Sequence, residues 1–462
     1  MIQKEKSRAG IHSAGLGPAS VRRLLVANRG EIAVRVIRTC REMGIETVAV
    51  YSTADRDSLH VKLADRAVCI GPPPSSKSYL VRENLITAAL NSGCEALHPG
   101  VGFLSENAGF AAMVRKAGLI FIGPEAETIE LLGDKVRART TAEQFGLPVT
   151  PGTKEAVHND GAALEAAKAL GFPVIIKAAA GGGGKGMRVV RKAEDLAENL
   201  SIASREAESN FADGRVFIER YLENPRHVEL QILSDGEGKV AILGERDCSV
   251  QKNHQKLIEE SPSPGVNDEM RERMARGASG LFRELKYRGA GTIEFLVEGS
   301  NFYFMEVNAR VQVEHPVSEF VTGTDIIRQQ ILACTGEGME LVDGPVPIGG
   351  WAMECRINAF TPGKITRLDI PGGPGVRFDS FLYPGCTVPP NYDSMVAKLI
   401  VHSPNREMAL AKMNRALDEL NIEGIVTNKD QQQWIINNPV FRSGNFGTAY
   451  YGSIEGELEN AK

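Results

Sequence analysis

Short apolar runs alternate with stretches whose apolar positions recur at helical spacing from Arg23 onward. "LLVA" predicts a strand, "EIAVRVIRTCREMG" an amphipathic helix ended by Gly44, and "TVAVYS" a second strand. The unit recurs as "ENLITAALNSG" leading into "EALHPG" and "ENAGFAAMVRKAG" leading into "LIFIGP". Residues to about 125 therefore predict a doubly wound parallel sheet. A second region opens at "GDKVRARTTAEQFG", a helix capped by Asp134 and ended by Gly146. "VIIKAAAGGGGKGMRVV" predicts strand, glycine loop, strand. "RVFIERYLENPRHVELQIL" adds two strands joined by a Pro-containing turn, and the strands continue to "HQKLIEE". After Pro345 short strands mix with the helix "NREMALAKMNRALDEL", while residues 1–20 have no such pattern and predict a disordered tail.

The glycine loop is the first candidate for chemistry. Gly181, Gly183 and Gly186 satisfy G-x-G-x-x-G, yet that fingerprint needs a helix after the loop and "MRVV" predicts a strand. Two readings stay open, a hairpin that folds over a nucleotide with its N–H groups toward phosphate, and a mobile hairpin tip. In "EVNARVQVEHP", Glu306, Asn308, Arg310, Gln312 and Glu314 are polar at period two. If the segment is extended, all five share one face. The preceding "GTIEFLV" holds a lone carboxylate, Glu294, and a three-residue loop over 299–301 would set it opposite Glu306. Two carboxylates and the Asn308 amide are hard oxygen donors suited to Mg²⁺. "ERDCSVQKNHQKLIEE" gathers Gln251, His254, Gln255 and Lys256, and Lys135 sits at a helix N-terminus, where a cation opposes the macrodipole unless an anion lies between.

Charge and composition narrow the class. A chain of 462 residues with formal net charge −5 has no basic footprint for nucleic acid. Seven scattered cysteines without C-x-x-C spacing suit a reducing compartment without structural zinc. No apolar segment is long enough to span a bilayer, so the expected location is the cytoplasm.

"ANRGEIAVRVIR", "HPGVGFLSEN", "KAAAGGGGKGM", "YLENPRHVELQ", "ERDCSVQKNHQK", "EVNARVQVEHPV" and "ECRINA" together closely resemble biotin carboxylase, the ATP-grasp component of biotin-dependent carboxylases. The resemblance implies an α/β and α+β fold: an N-terminal doubly wound sheet over 21–133, an ATP-grasp fold with a mobile glycine-rich lid over 134–341, and a mixed β-rich domain over 350–456. It implies that bicarbonate attacks the γ-phosphate of ATP to give carboxyphosphate, and that the carboxyl group passes to N1 of biotin. By resemblance Lys135, Lys177, Gly181, Gly182, Gly183, Gly184, Gly186 and Met187 hold the phosphates, and Glu219, Arg220 and Leu222 hold adenine. His227, Gln251 and His254 match nucleotide contacts, and Glu294, Glu306 and Asn308 match a Mg²⁺ or Mn²⁺ site. Lys256, Arg310, Gln312 and the Val313 backbone match a bicarbonate pocket, Glu314 the general base, and Arg356 the group that stabilises the biotin enolate. Implied partners are a biotin carboxyl carrier protein, carboxyltransferase subunits and a second copy of the chain, for which Arg38, Glu42 and Arg377 fit the interface. Acetyl-CoA carboxylase is the expected assembly, with a pyruvate or propionyl-CoA carboxylase, or a non-catalytic nucleotide-binding paralogue, as the alternatives. Val101 departs from a usual Tyr, Pro374 from an aromatic residue, and the connection from "RINA" to "PGK" is short, with Phe360 and Thr361 between them.

Overall fold

The computed structural model describes residues 21–153, 155–157, 159–179, 187–211 and 213–460. The N-terminal strands β1 (Arg23–Val26), β2 (Glu46–Ser52), β3 (Arg66–Gly71), β4 (Ala96–His98) and β5 (Ile120–Phe121) form a parallel sheet in the order β3-β2-β1-β4-β5. The predicted helices lie at Gly30–Glu42, Arg82–Asn91 and Ala108–Lys116. Strand β3 carries weak alternation and is absent from the sequence pattern; pairing with β2 stabilises it.

A small lobe follows. β6 (Val174–Ala178) lies between β7 (Arg188–Val190) and β8 (Val216–Arg220), all antiparallel. Val174, Ile176 and Ala178 are buried while Lys177 points to the other face, so one strand supplies both core and site. Val174, Ile176, Val190, Val216 and Ile218 join Ala163, Ala167 and Leu200 in a core of the lobe's own.

The largest sheet begins with β9 (Arg226–Asp235), β10 (Val240–Lys252), β11 (Gln255–Ser261), β12 (Arg288–Glu298) and β13 (Asn301–Asn308). Beyond β11 it continues without a break into the strands Trp351–Asn358, Met395–Ser403 and Val376–Ser380. The Pro-containing segment "YLENPR" joins β8 to β9 across two sheets, so these strands are not a hairpin. The predicted helix near the C-terminus spans Arg406–Glu419.

Candidate functional site

Asp134 caps the helix Lys135–Gln144, its carboxylate accepting from the Val136 and Arg137 N–H groups at 3.0 Å. Lys135, at the first position, lines a cavity of about 550 Å³ between the lobe and the large sheet. Its Nζ lies 3.5 Å from Glu306 Oε2. Lys177 enters from β6 and pairs with Glu219 Oε2 at 2.7 Å, while Arg139 takes the other oxygen. Burial would raise the Glu219 carboxyl, but Lys177 and Arg139 hold it below its ordinary value. Met187 borders the same cavity; Arg220 and Leu222 do not, Arg220 bonding Glu298 and the Tyr303 hydroxyl. Gly181, Gly182, Gly183, Gly184 and Gly186 lie outside the described residues.

Glu294 does face Glu306, by a different route from the three-residue loop expected. Glu298 pairs with Asn301, leaving a two-residue turn with Gly299 at φ +59°. Such a turn alone would set Glu294 against Met305. A bulge between Phe304 and Glu306 inserts Met305 as the extra residue and restores the pairing. The bulge also lets Phe302 and Phe304 stay in the core while Glu306 turns to the opposite face. Register then extends a row across four strands: Glu306, Glu294, Glu229, Arg246. The chain leaves the extended conformation after Asn308, so of the five polar residues only Glu306 and Asn308 lie on the strand. Glu314 instead precedes the helix His315–Thr322, with Pro316 in its first turn.

The loop nevertheless brings Arg310, Gln312, Val313 and Glu314 to a second cavity, of about 390 Å³, with His227, Gln251, His254, Lys256 and Arg356. Lys135, Met187, Met305 and Glu306 line both cavities, so the two form one cleft. At the centre Lys256 Nζ lies 2.6 Å from Glu229, 2.6 Å from Glu314 and 3.1 Å from Glu294. Burial would lower the ammonium's pKa, and these three carboxylates raise it well above the usual value. Burial would likewise raise Glu314, yet Lys256, Arg356 and Arg246 hold it well below the carboxylate range. Glu314 is therefore an ionised base between two cations, with Arg356 at 3.0 Å. Arg310 pairs with Glu106 at 2.8 Å and donates to Asn308 Oδ1 at 2.9 Å.

The sequence pattern missed Glu229 and Arg246. Arg246 is fully buried and binds Glu229 at 2.5 Å, Gln231 at 2.6 Å and Gln312 at 2.7 Å. The signal was available: His227, Glu229 and Gln231 alternate along β9 with the core residues Val228, Leu230 and Ile232. Glu294 and Glu306 face each other with hard oxygens, and Asn308, whose Nδ2 donates to Glu294 Oε1 at 2.9 Å, carries a third in Oδ1, held here by Arg310; oxygens of this kind fit Mg²⁺ or Mn²⁺. Glu229, Cys248 and Glu314 also converge, but burial keeps the thiol protonated and leaves only two carboxylates, both held by Lys256 at 2.6 Å against 3.1 Å for Glu294. All seven cysteines are free.

A third cavity, of about 470 Å³, adjoins the second through Val101, Val313, Arg356, Asp393 and Met395. The short connection beyond Arg356 is tied down, Phe360 N–H donating to Val426 O and Val426 N–H to Thr361 Oγ1. Arg38, Glu42 and Arg377 gather elsewhere, around a surface depression with Glu319 and Asp325.

A three-stranded lobe set against a carboxylate-lined sheet, with lysines reaching in from both, defines an ATP-grasp protein. Residues 134–342 match the carbamoyl-phosphate synthase L chain ATP binding domain, and residues 20–129 and 353–452 match the biotin carboxylase N-terminal and C-terminal domains. The chain belongs to the biotin carboxylase family. A biotin carboxylase of Haemophilus influenzae is 49% identical over 436 residues, 93% of this chain and 97% of that one. The Campylobacter jejuni biotin carboxylase in complex with beta-gamma-ATP superposes with a TM-score of 0.90 at 44% identity, covering 94% of this chain and 99% of the other. The biotin carboxylase domain dimer of Hydrogenobacter thermophilus 2-oxoglutarate carboxylase, solved with MgADP, ADP and bicarbonate, gives 0.89 at 42% identity, covering 95% and 98%.

Proposed function

We propose that this chain uses ATP and bicarbonate to carboxylate biotin carried on a separate protein. The observation that carries this reading is the ionised Glu314 clamped between Lys256 and Arg356 in the second cavity, which shares lining residues with each of the other two. Lys135 and Lys177 neutralise phosphate charge, with Met187 and Glu219 at the nucleotide and His227, Gln251 and His254 along its path. Glu294, Glu306 and Asn308 would hold Mg²⁺ or Mn²⁺, which when bound offsets the charge of the phosphates. Lys256, Arg310, Gln312 and the Val313 N–H hold bicarbonate, from which Glu314 takes the proton before its oxygen attacks the γ-phosphate. Carboxyphosphate then gives up its carboxyl group to N1 of biotin, phosphate leaving with the N1 proton, while Arg356 faces the ureido oxygen and stabilises the enolate. The third cavity, next to Val101, lies on the side where that ring enters.

The carrier is a biotin carboxyl carrier protein, with carboxyltransferase subunits as further partners and acetyl-CoA as acceptor. The depression around Arg38, Glu42 and Arg377 is the contact with a second copy. Phosphate release from ATP with bicarbonate, measured with and without biotin, tests the activity. Bicarbonate-independent ATP binding without turnover would instead define a nucleotide-binding relative. Identification of the biotinylated protein that co-purifies with the chain, and of its acyl acceptor, tests acetyl-CoA against propionyl-CoA and pyruvate.

A further inference from the structure

Arg356 has two carboxylate partners, one lining the cleft and one outside it. Glu314 receives its NH2 at 3.0 Å from the cavity side. Outside the cleft Glu259, from β11, accepts from Nε at 2.6 Å and lies 2.5 Å from NH2 with the same Oε1. Glu259 is fully buried and lines none of the three cleft cavities. Its strand pairs with the one that carries Arg356, and the register sets Glu259 directly opposite Glu354, two residues before Arg356 on the same face. Lys398 stands opposite Arg356 on the next strand, and its Nζ is occupied by Glu31 at 3.1 Å and the Val313 carbonyl at 2.8 Å. Glu259 Oε2 and both Glu354 oxygens are buried without a hydrogen-bond partner. A buried carboxylate leaves such oxygens unmatched at considerable cost unless another interaction compensates it. The Arg356 guanidinium is the interaction present.

We propose that Glu259 is a positioning residue for carboxyl transfer: it holds the Arg356 guanidinium back from full pairing with Glu314, so that one N–H edge stays directed into the cleft. The proposal rests on the role of Arg356 given above. Guanidinium and carboxylate form strong bidentate pairs, so without a rear anchor Arg356 settles onto Glu314 and its free edge is lost. Burial pushes Glu259 up to about 7, Arg356 drawing it down and Glu314 adding to the rise. Burial keeps Glu354 protonated, with Lys398 opposing and Glu259 reinforcing the shift. The charged and titratable groups that act on Glu259 are Lys256 on its own strand, Arg356 and Glu354 on the next, and Glu314 before its helix, with the Cys248 and Cys355 thiols also near.

The test compares carboxybiotin formed per ATP cleaved in the full chain with Glu259→Gln, Glu259→Asp, Glu354→Gln and Arg356→Met. Glu259→Gln should lower that ratio about tenfold or more, with bicarbonate-dependent ATP cleavage within about threefold and the KM for ATP unchanged. The unsubstituted chain should show an acid limb near pH 7 in its biotin-dependent rate, and Glu259→Gln should lack it. Glu259→Asp, which keeps the charge, should recover part of the ratio, and Glu354→Gln should leave both rates unchanged. Equal loss in both half-reactions, or an unaltered ratio in Glu259→Gln while Arg356→Met lowers it, overturns the positioning role. An unaltered ratio in Arg356→Met overturns the role of Arg356 itself. Should Glu259→Gln fail to fold, Glu259→Ala takes its place: an unaltered ratio overturns the proposal, and a lowered one at normal ATP KM that Glu259→Asp partly restores supports it.

Discussion

Glu314 owes its acid strength to neighbours that also compete for it. Lys256 and Arg356 both press on one buried carboxylate, so it stays ionised far below neutral pH and keeps fixed geometry. Glu314→Gln preserves the shape and removes the base. Bicarbonate-dependent ATP cleavage should fall at least about a hundredfold with ATP affinity little changed, measured by steady-state kinetics and nucleotide titration. His98, with the buried His60 and His315, contributes to the acid response of the fold. His98 is fully buried, its Nδ1 accepting from the Gly100 N–H at 3.0 Å while Nε2 faces Gln330 Oε1 at 3.2 Å. That arrangement needs the neutral ring. Burial pulls its pKa from 6.5 down to about 4, with Gln330 opposing the shift. A depressed folded-state pKa means its stability contribution is complete above pH 6.5 and is lost as pH falls toward 4, by at most about 3 kcal/mol. His98→Asn, which keeps an acceptor near Gly100, should flatten the fall in urea-unfolding free energy between pH 7 and pH 5.

Among the elements, the β10–β11 hairpin gives up local stability for a placed side chain. Lys252 pairs with Gln255, leaving Asn253 and His254 as a two-residue turn at φ +50° and +64°. Such turns favour Asn followed by Gly, and a histidine in the second place is strained. The imidazole lines the cleft, which accounts for its presence. His254→Gly should raise resistance to urea by about 0.5–1 kcal/mol while nucleotide binding weakens, seen by parallel unfolding and binding titrations. Elements with strong periodicity were legible from sequence: the parallel sheet, the Asp134-capped helix and the strands around the glycine loop all stand where the pattern put them. The route by which Glu306 meets Glu294 was not, because the Met305 bulge depends on Phe302 and Phe304 keeping their places in a core that is distant in sequence. The end of β13 was missed for another reason. Period-two polarity continues to Glu314, past the end of the strand, and only Pro316 marks the start of a helix. Glu229, Arg246 and Glu259 escaped notice because a charged residue within a strand looks solvent-facing until the covering layer is known.

Across the whole molecule, stability is unevenly distributed. The large sheet runs unbroken from β13 to the strand Val376–Ser380, so the segments that match separate family domains share one hydrogen-bonded layer. The lobe of β6, β7 and β8 has three strands and its own small core. Amides of the lobe should therefore exchange through an opening of lower free energy than those of β9, β10 and β12, as native-state hydrogen exchange will read. Uniform protection would show that the lobe opens only with the rest.

The ion pairs of the cleft also determine how it should respond to ionic strength. Among the described residues, Lys135, Lys177, Lys256, Arg310 and Arg356 each already face a carboxylate of the protein. An incoming anion meets little unbalanced charge at long range, and its attraction begins only when it displaces an internal carboxylate at contact distance. Dissolved salt screens fields that act beyond about a Debye length and barely touches exchanges made at contact. The nucleotide association rate, followed by stopped flow at fixed free Mg²⁺, should change less than about threefold between about 0.02 and 0.3 M salt. Charge selects the ligand here by substitution of one anion for another, and recruitment from solution is left to diffusion.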